Sequence, residues 1–302
     1  DPLWSRGLGD VYKRQVESSV DGTRRTELLA AYVDHVREAV GDNSLREMTI
    51  VVDCANGAMS EVAPRAIAAL GATVIVINDE PNGRNINDSC GATHPELVSE
   101  AVRLHGAQLG LAFDGDGDRV IAVDHQGEVV DGDHLIALAA LDAKERGQLD
   151  GGVVVTVMTN AGFHRAMREA GIEVVTTPVG DRNVLAAMEE RGFVLGGEQS
   201  GHVIHARHAT TGDGLLAGAI LAAMVQRKNR PLRELAREAM TSLPQALVNV
   251  RVSQRVQDPM SVMESDVRSV ERTLGTNGRV LLRASGTEPM LSLIHISEPT
   301  RP

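Results

Sequence analysis

The sequence predicts an α/β protein: two tandem α/β/α domains with mostly parallel sheets, followed by a truncated C-terminal α+β domain. Three observations predict it. Short β-branched runs (Ile50-Val51-Val52, Thr73 to Ile77, Val153 to Val157) alternate with helical apolar stripes. The order helix, glycine, strand, polar loop around Gly106 and Asp114 returns around Gly192 and Glu198, the mark of an internal repeat. Three glycine-bearing polar loops each follow an apolar run, where open α/β sheets carry their ligands.

Each element has its own signal. Leu29, Val33, Val36 and Val40 form a stripe that closes at Gly41 as a C-cap. The run Ile50 to Val52 enters the loop Asp53-Cys-Ala-Asn-Gly57, in which Asp53 and Asn56 suit capping of the turn and helix that follow. A helix ending near Leu70-Gly71, the strand from Thr73 to Ile77, and a helix opened by Thr93 and Pro95 and closed at Gly106 complete the first unit. In the second, Asp133 opens a helix through Leu138, Val153 to Val157 is a buried strand, and a helix ends between Ala187 and Gly192. Asp213 as N-cap starts a helix to Gln226, and another runs from Pro231 to Met240. Leu243-Pro244 reads as a linker to strands near 246–252 and 280–283. The expected organisation is therefore 16–130, 131–243 and a partial domain over 244–291. Residues 1–15 and 292–302 read as foreign or disordered tails, since neither has a clear period.

Composition excludes several functions. A formal net charge of -11 argues against a nucleic-acid binder or a membrane-surface protein. No apolar run approaches the length of a membrane span. Only two cysteines occur, Cys54 and Cys90, which suits a reducing cytoplasm better than a disulfide-stapled fold. Aromatics make up 2% of residues, so Ala, Val, Leu and Ile must fill the core. His35 and His105 read as surface residues. The sequence does not set the oligomeric state.

The first polar loop follows Leu109, Leu111 and Phe113, whose alternation marks a strand, and reads Asp114-Gly-Asp116-Gly-Asp118-Arg119. Glycines let the chain turn sharply, so three carboxylates can converge. Converging anions repel unless a cation sits among them, and a hard divalent ion such as Mg2+ suits oxygen ligands. An EF-hand would need Gly at Arg119 and Glu at His125, so that alternative fails. Arg119 can hold a carboxylate or phosphate through its fork. The second loop is Gly197-Glu198-Gln199-Ser200-Gly201-His202. Glu198 and Ser200 can bind vicinal sugar hydroxyls and His202 can exchange a proton, although the loop reads equally as a turn with Ser200 as a helix cap. The third is Arg283-Ala-Ser285-Gly286-Thr287. Its backbone N–H groups, hydroxyls and Arg283 suit a phosphate monoester, against the alternative of a solvated turn. Arg182, in Val179-Gly180-Asp181-Arg182, either follows a helix cap or reaches a phosphate.

Taken together, these loops resemble the metal, sugar and phosphate loops of the α-D-phosphohexomutase superfamily. Asp53-Cys-Ala-Asn-Gly-Ala58, Asn85-Ile-Asn-Asp88, Thr93-His-Pro-Glu96 and Thr156-Val-Met-Thr-Asn160 point the same way, and the resemblance covers roughly Gly22 to Leu291. The Gln199 form of the sugar loop is most similar to the branch of bacterial phosphoglucosamine mutases. The resemblance implies an intramolecular phosphotransferase of four domains, in which a first-domain phosphoserine passes its phosphate to a hexosamine phosphate. A 1,6-bisphosphate intermediate then reorients and returns its other phosphate. It further implies one Mg2+ on Asp114, Asp116 and Asp118, with Arg119 and His202 assisting catalysis. Glu198, Ser200, Arg182, Arg283, Ser285, Gly286 and Thr287 would bind substrate. The family's Ser-His-Asn-Pro loop has no counterpart here, so the chain alone is expected to be inactive. The other readings are a phosphomannomutase or phosphoglucomutase and a non-catalytic sugar-phosphate-binding fragment.

Overall fold

The computed structural model describes residues 22–252, 258–274, 278–284 and 290–297. Helix α1 (Gly22–Val40) leads into β1 (Thr49–Asp53), α2 (Met59–Ala69), β2 (Thr73–Ile77), α3 (Glu96–His105), β3 (Leu109–Phe113), β4 (Val120–Asp124) and β5 (Val129–Val130). The strands lie in the order β2-β1-β3-β4-β5. The first three are parallel, whereas β4 and β5 return antiparallel. The second unit has α4 (Gly132–Glu145), β6 (Val153–Thr156), α5 (Ala161–Glu169), β7 (Val174–Thr177), α6 (Asp181–Arg191), β8 (Leu195–Gly197) and β9 (Val203–His205). Its sheet runs β7-β6-β8-β9, again parallel except for the last strand. The repeat is therefore topological: the Asp114 loop joins β3 to β4, and the Glu198 loop joins β8 to β9.

Both sheets bury both faces, as parallel sheets do. Along β1, Ile50 and Val52 face one apolar cluster while Val51 faces another with Val98 and Val102 of α3. Along β6, Val153 and Val155 join the first cluster and Val154 packs with Val184 and Met188 of α6. The shared cluster is completed by α7 (Gly214–Lys228), which is buried on nearly all sides and packs against β3, β4 and β9. A helix apolar all round belongs inside a core, and this one sits between the two sheets. After α8 (Leu232–Ala239), an antiparallel sheet β10-β12-β11 is formed by β10 (Gln245–Arg251), β11 (Gly278–Ala284) and β12 (Met290–Ser297), with α9 (Pro259–Leu274) against β11.

Two expectations need correction here. A tail over 292–302 is wrong as far as Ser297, because Met290–Ser297 is the central strand of that sheet, hydrogen-bonded to β10 and β11. Its run Leu293-Ile294-His295-Ile296 has the strand propensity that supports such pairing. The helix expected to open at Asp133 is capped two residues earlier, where Asp131 accepts the His134 backbone N–H, and it continues to Glu145. Residues 1–15 lie outside the described residues. Among the described residues no helix is long and apolar enough to cross a membrane.

Asp213 is the N-cap of α7, as expected, and accepts the Leu216 N–H at 2.9 Å. Its carboxylate also takes the Tyr32 hydroxyl at 2.7 and 2.8 Å, which ties α1 to α7. Burial and then the Asp213 charge push the Tyr32 phenol well above its ordinary range. Asp213→Ala is expected to destabilise by about 1–2 kcal/mol through the cap, and Tyr32→Phe by about 1 kcal/mol. Urea midpoints of the two variants test this, and equal midpoints for wild type and Asp213→Ala would refute it.

Candidate active site

The Asp114 loop is built by its own hydrogen bonds. Asp114 Oδ1 accepts the N–H groups of Gly117 (3.1 Å) and Arg119 (3.2 Å), which folds the chain back toward β4. Asp114 is buried, Asp118 is half-buried and Asp116 is exposed, and one ligand atom from each lies within 4.8 Å of the others. Burial and then Asp118 push the Asp114 carboxyl up to about 6. Asp118 Oδ1 is buried with no hydrogen-bond partner. Arg119 Nε stands 3.6 Å from Asp114 and 3.5 Å from Asp118, a loose ion pair without a hydrogen bond at Nε. A carboxylate that resists ionisation beside an unsatisfied oxygen suits a divalent cation with oxygen ligands.

The Glu198 loop is a tight connection between β8 and β9. Glu198 N–H donates to His202 O at 2.9 Å, and Gly201 N–H donates to Glu198 O at 3.0 Å. Strand β9 follows, so Ser200 caps no helix; it is exposed instead. Glu198 Oε1 accepts the Gly180 N–H at 3.0 Å, which draws the start of α6 toward the loop. Arg182 is exposed on the first turn of α6. Asp53 caps no helix either: it accepts the N–H groups of Ala55 (2.9 Å) and Gly91 (3.0 Å) and so pins two loops together.

The two sheets bring these two loops into contact. Val120, at the end of the Asp114 loop, donates its N–H to Gly201 O at 3.1 Å, and Gly214 N–H donates to Gly117 O at 2.9 Å. His202 is buried, and its Nε2 lies 3.7 Å from Asp118 Oδ2. Neither ring nitrogen has a hydrogen-bond partner. Gly212 lies against this imidazole, where any Cβ would stand 2.3 Å from Nε2. Burial lowers the His202 pKa, outweighing Glu198 and the other carboxylates, so the ring is neutral at pH 7. A neutral imidazole beside an acidic loop can accept a proton.

Of the expected site residues, Asp114, Asp116, Asp118, Arg119, Glu198 and His202 belong to this junction, with Ser200 and Arg182 at its exposed margin. Ser285, Gly286 and Thr287 lie outside the described residues; Arg283 is in β11. Sequence reading missed Asp131 and His134, whose Oδ1 and Nδ1 are 2.6 Å apart behind the Glu198 loop. The signal was the Asp-x-x-His spacing at a helix start, which the choice of Asp133 as first residue concealed.

Comparison with known proteins agrees with this arrangement. Residues 30–127 match the family model "Phosphoglucomutase/phosphomannomutase, alpha/beta/alpha domain II". Residues 131–243 match domain III of the same family, and 247–296 its C-terminal domain. Phosphoglucosamine mutase from Parafrankia sp. (strain EAN1pec) is 49% identical, the match covering 99% of this chain and 65% of the relative. Phosphoglucosamine mutase from Rhodococcus jostii (strain RHA1) is 52% identical over 97% of this chain and 66% of the relative. The chain thus spans just under two thirds of the length of these curated relatives. Among solved structures, a phosphoglucomutase/phosphomannomutase family protein from Burkholderia thailandensis shares the fold with a TM-score of 0.73 at 24% identity, covering 89% of this chain and 60% of that one. Aspergillus fumigatus N-acetylphosphoglucosamine mutase, solved with GlcNAc-6P and magnesium, superposes with a TM-score of 0.70 at 22% identity, covering 88% and 61%.

Proposed function

The chain belongs to the α-D-phosphohexomutase superfamily, and we propose that it is part of a phosphoglucosamine mutase, which interconverts glucosamine 6-phosphate and glucosamine 1-phosphate through a 1,6-bisphosphate. The observation that carries this reading is the junction of the two strand-end loops, where His202 Nε2 stands 3.7 Å from Asp118. A sugar held by one loop is thereby presented to the cation-binding group of the other. The relatives named phosphoglucosamine mutase supply the sugar.

In this reading Asp114, Asp116 and Asp118 hold Mg2+, to which their converging oxygens and the unsatisfied Asp118 Oδ1 are suited. When bound, the ion supplies positive charge next to the phosphoryl group being transferred. Arg119, loosely paired, turns its fork toward phosphate oxygens. Glu198 keeps Oε1 on Gly180 N–H and offers its other oxygen to a sugar hydroxyl, with Ser200 as a second polar contact. His202, neutral in its buried setting, takes the proton of the attacking hydroxyl. Arg182 and the segment 283–287 bind the phosphate that is not reacting.

The phosphoryl donor is the missing part. No Ser-His-Asn-Pro segment occurs in the 302 residues, and Ser60, one of the serines near the metal loop, donates its hydroxyl to Gly57 O at 2.9 Å. The purified chain is therefore expected to bind glucosamine 6-phosphate without converting it in a coupled assay. Robust turnover by the chain alone would overturn this part of the proposal. A longer protein that carries the serine domain should act on amino-sugar phosphates in preference to mannose or glucose phosphates. The opposite preference would favour the phosphomannomutase or phosphoglucomutase reading.

A further inference from the structure

The Gln199 side chain does not share the task of its neighbours. Its amide Nε2 donates to Asp131 Oδ2 at 3.2 Å and to Gln245 Oε1 at 3.4 Å, while its backbone oxygen accepts the Gly132 N–H at 3.0 Å. All three contacts lead away from Glu198, Ser200 and His202, toward the start of α4 and the first residue of β10. Asp131 is the centre of this arrangement. One of its oxygens caps α4 through the His134 N–H and meets His134 Nδ1 at 2.6 Å; the other holds Gln199. Burial acts to raise the Asp131 carboxyl, but the hydrogen bond and charge of His134 outweigh it and hold the group below the usual carboxylate range. The far side of the same imidazole, Nε2, lies 3.3 Å from Ser242 Oγ in the segment that leaves α8 for β10.

That segment is also fastened at its next residue. Leu243 donates its N–H to Asn160 Oδ1 and accepts Asn160 Nδ2–H at its carbonyl, both at 2.9 Å, and Asn160 Oδ1 caps α5. The segment from Ser242 to Gln245 is thus attached to the second α/β unit at three successive places: Ser242 on His134, Leu243 on Asn160, and Gln245 on Gln199. Two of the three pass through side chains that also fix the Glu198 loop. A hydrogen-bonded chain of this kind is worth more as a unit than as separate pairs, because loosening one member frees the next.

We infer that Asp131, His134 and Gln199 form a positioning relay that binds the 198–202 loop to the 242–245 linker, so that the two segments open together and Gln199 sets the position of the loop without touching the sugar. The inference rests on the reading of 198–202 as the sugar loop for its purpose, but the coupling itself requires no ligand. Asp131, His134 and Gln199 are positioning residues, acting through the loop backbone on Glu198 and His202.

Backbone hydrogen exchange of the full chain, without ligand or metal, tests the coupling. Ser242→Ala removes one exposed hydroxyl at the linker and is expected to speed exchange about threefold both in 240–245 and in 198–203. Gln199→Leu is expected to do the same from the other end. The helix α3 is the control, and its exchange should be unchanged. The relay is overturned if either variant affects only its own segment, or if α3 loosens to the same degree, which would mark general destabilisation. Glucosamine 6-phosphate should then slow exchange in 198–203 and in 240–245 of the wild type, but only in 198–203 of Gln199→Leu. A wild type whose 198–203 segment ignores the sugar phosphate overturns the sugar reading of the loop, whereas the relay stands or falls on the ligand-free result.

Discussion

At pH 8, Mg2+ is expected to raise the melting temperature of the chain; the rise should fade below pH 6 and vanish at every pH in Asp116→Ala. The argument starts from the Asp114 loop, where three carboxylates offer oxygens within 4.8 Å of one another. Asp114 is pushed up to about 6, first by burial and then by Asp118, whose charge opposes its own when no cation lies between them. A carboxyl whose folded pKa lies above its unfolded value favours the fold only while protonated. Its contribution is present below the ordinary value of 3.8 and is lost as pH rises through 6. The cation reverses this pH dependence, since it binds the deprotonated group: its stabilisation grows as pH rises to about 6 and levels off above. Below that point each pH unit weakens apparent binding about tenfold. At a concentration 100 times Kd the stabilisation is about 2.7 kcal/mol, or roughly 4 °C for a chain of this size. Asp116 is the member to replace because it is exposed, so its loss should change metal-free stability by no more than about 0.5 kcal/mol. A thermal melt with and without Mg2+ at pH 5, 6, 7 and 8 measures every part of this. An undiminished rise in Asp116→Ala would place the ion elsewhere.

The same loop shows how much of the molecule can be read from residue order. Alternation in Leu109, Leu111 and Phe113 marks β3 with the bounds the structure gives it, and Thr73–Ile77 is likewise β2. Local sequence suffices for β3, all five residues of which are buried, because a strand buried on both faces needs a continuous apolar run. It suffices for the edge strand β2 because its β-branched residues mark a strand. The return strands β4 and β9 escaped notice. Val203–His205 is only three residues, too short for its periodicity to speak, and Val120–Asp124, though as long as β3, follows a polar loop of the kind that in parallel sheets leads to a helix. Without them the metal and sugar loops look like crossovers to helices, when both are tight reversals between neighbouring antiparallel strands. The packing of α7 was equally hidden. Its nearly uniform apolar surface says that it is buried but not by which sheets, and the answer is both. The candidate residues of the junction were named from their types and spacing. Their meeting was not, because it depends on how two sheets some eighty residues apart in sequence pack around one helix. The boundary of α4 was missed because Asp131 and Asp133 are both good caps, and only the direction of the Asp131 carboxylate, toward His134 and Gln199, separates them.

Gly201→Ala should be the most damaging single methyl group that the junction can receive. Gly201 has φ of +93°, which L side chains rarely adopt, and a Cβ there would lie 2.2 Å from Val120 O. That oxygen is backbone at the start of β4 and cannot rotate aside. Relief requires the Glu198 loop to move away from the Asp114 loop. The move breaks the 3.1 Å bond from Val120 N–H to Gly201 O and draws His202 from Asp118. Overpacking of this degree, added to the backbone strain, is expected to cost about 3 kcal/mol or more, a fall in melting temperature of roughly 5 °C or more. The neighbouring Ser200→Ala is the natural comparison. Its side chain is exposed, and it should stay within about 0.5 kcal/mol of wild type. The two changes lie one position apart, one deleting an exposed hydroxyl and the other adding a methyl group against Val120 O, so their difference reports the contact between the loops. If that contact also holds the carboxylates in place, Gly201→Ala will show a smaller Mg2+-dependent rise than wild type at pH 8, because Asp118 shifts when its neighbour moves. A Gly201→Ala chain that melts with the wild type and keeps the full metal response would mean that the two loops do not bear on one another.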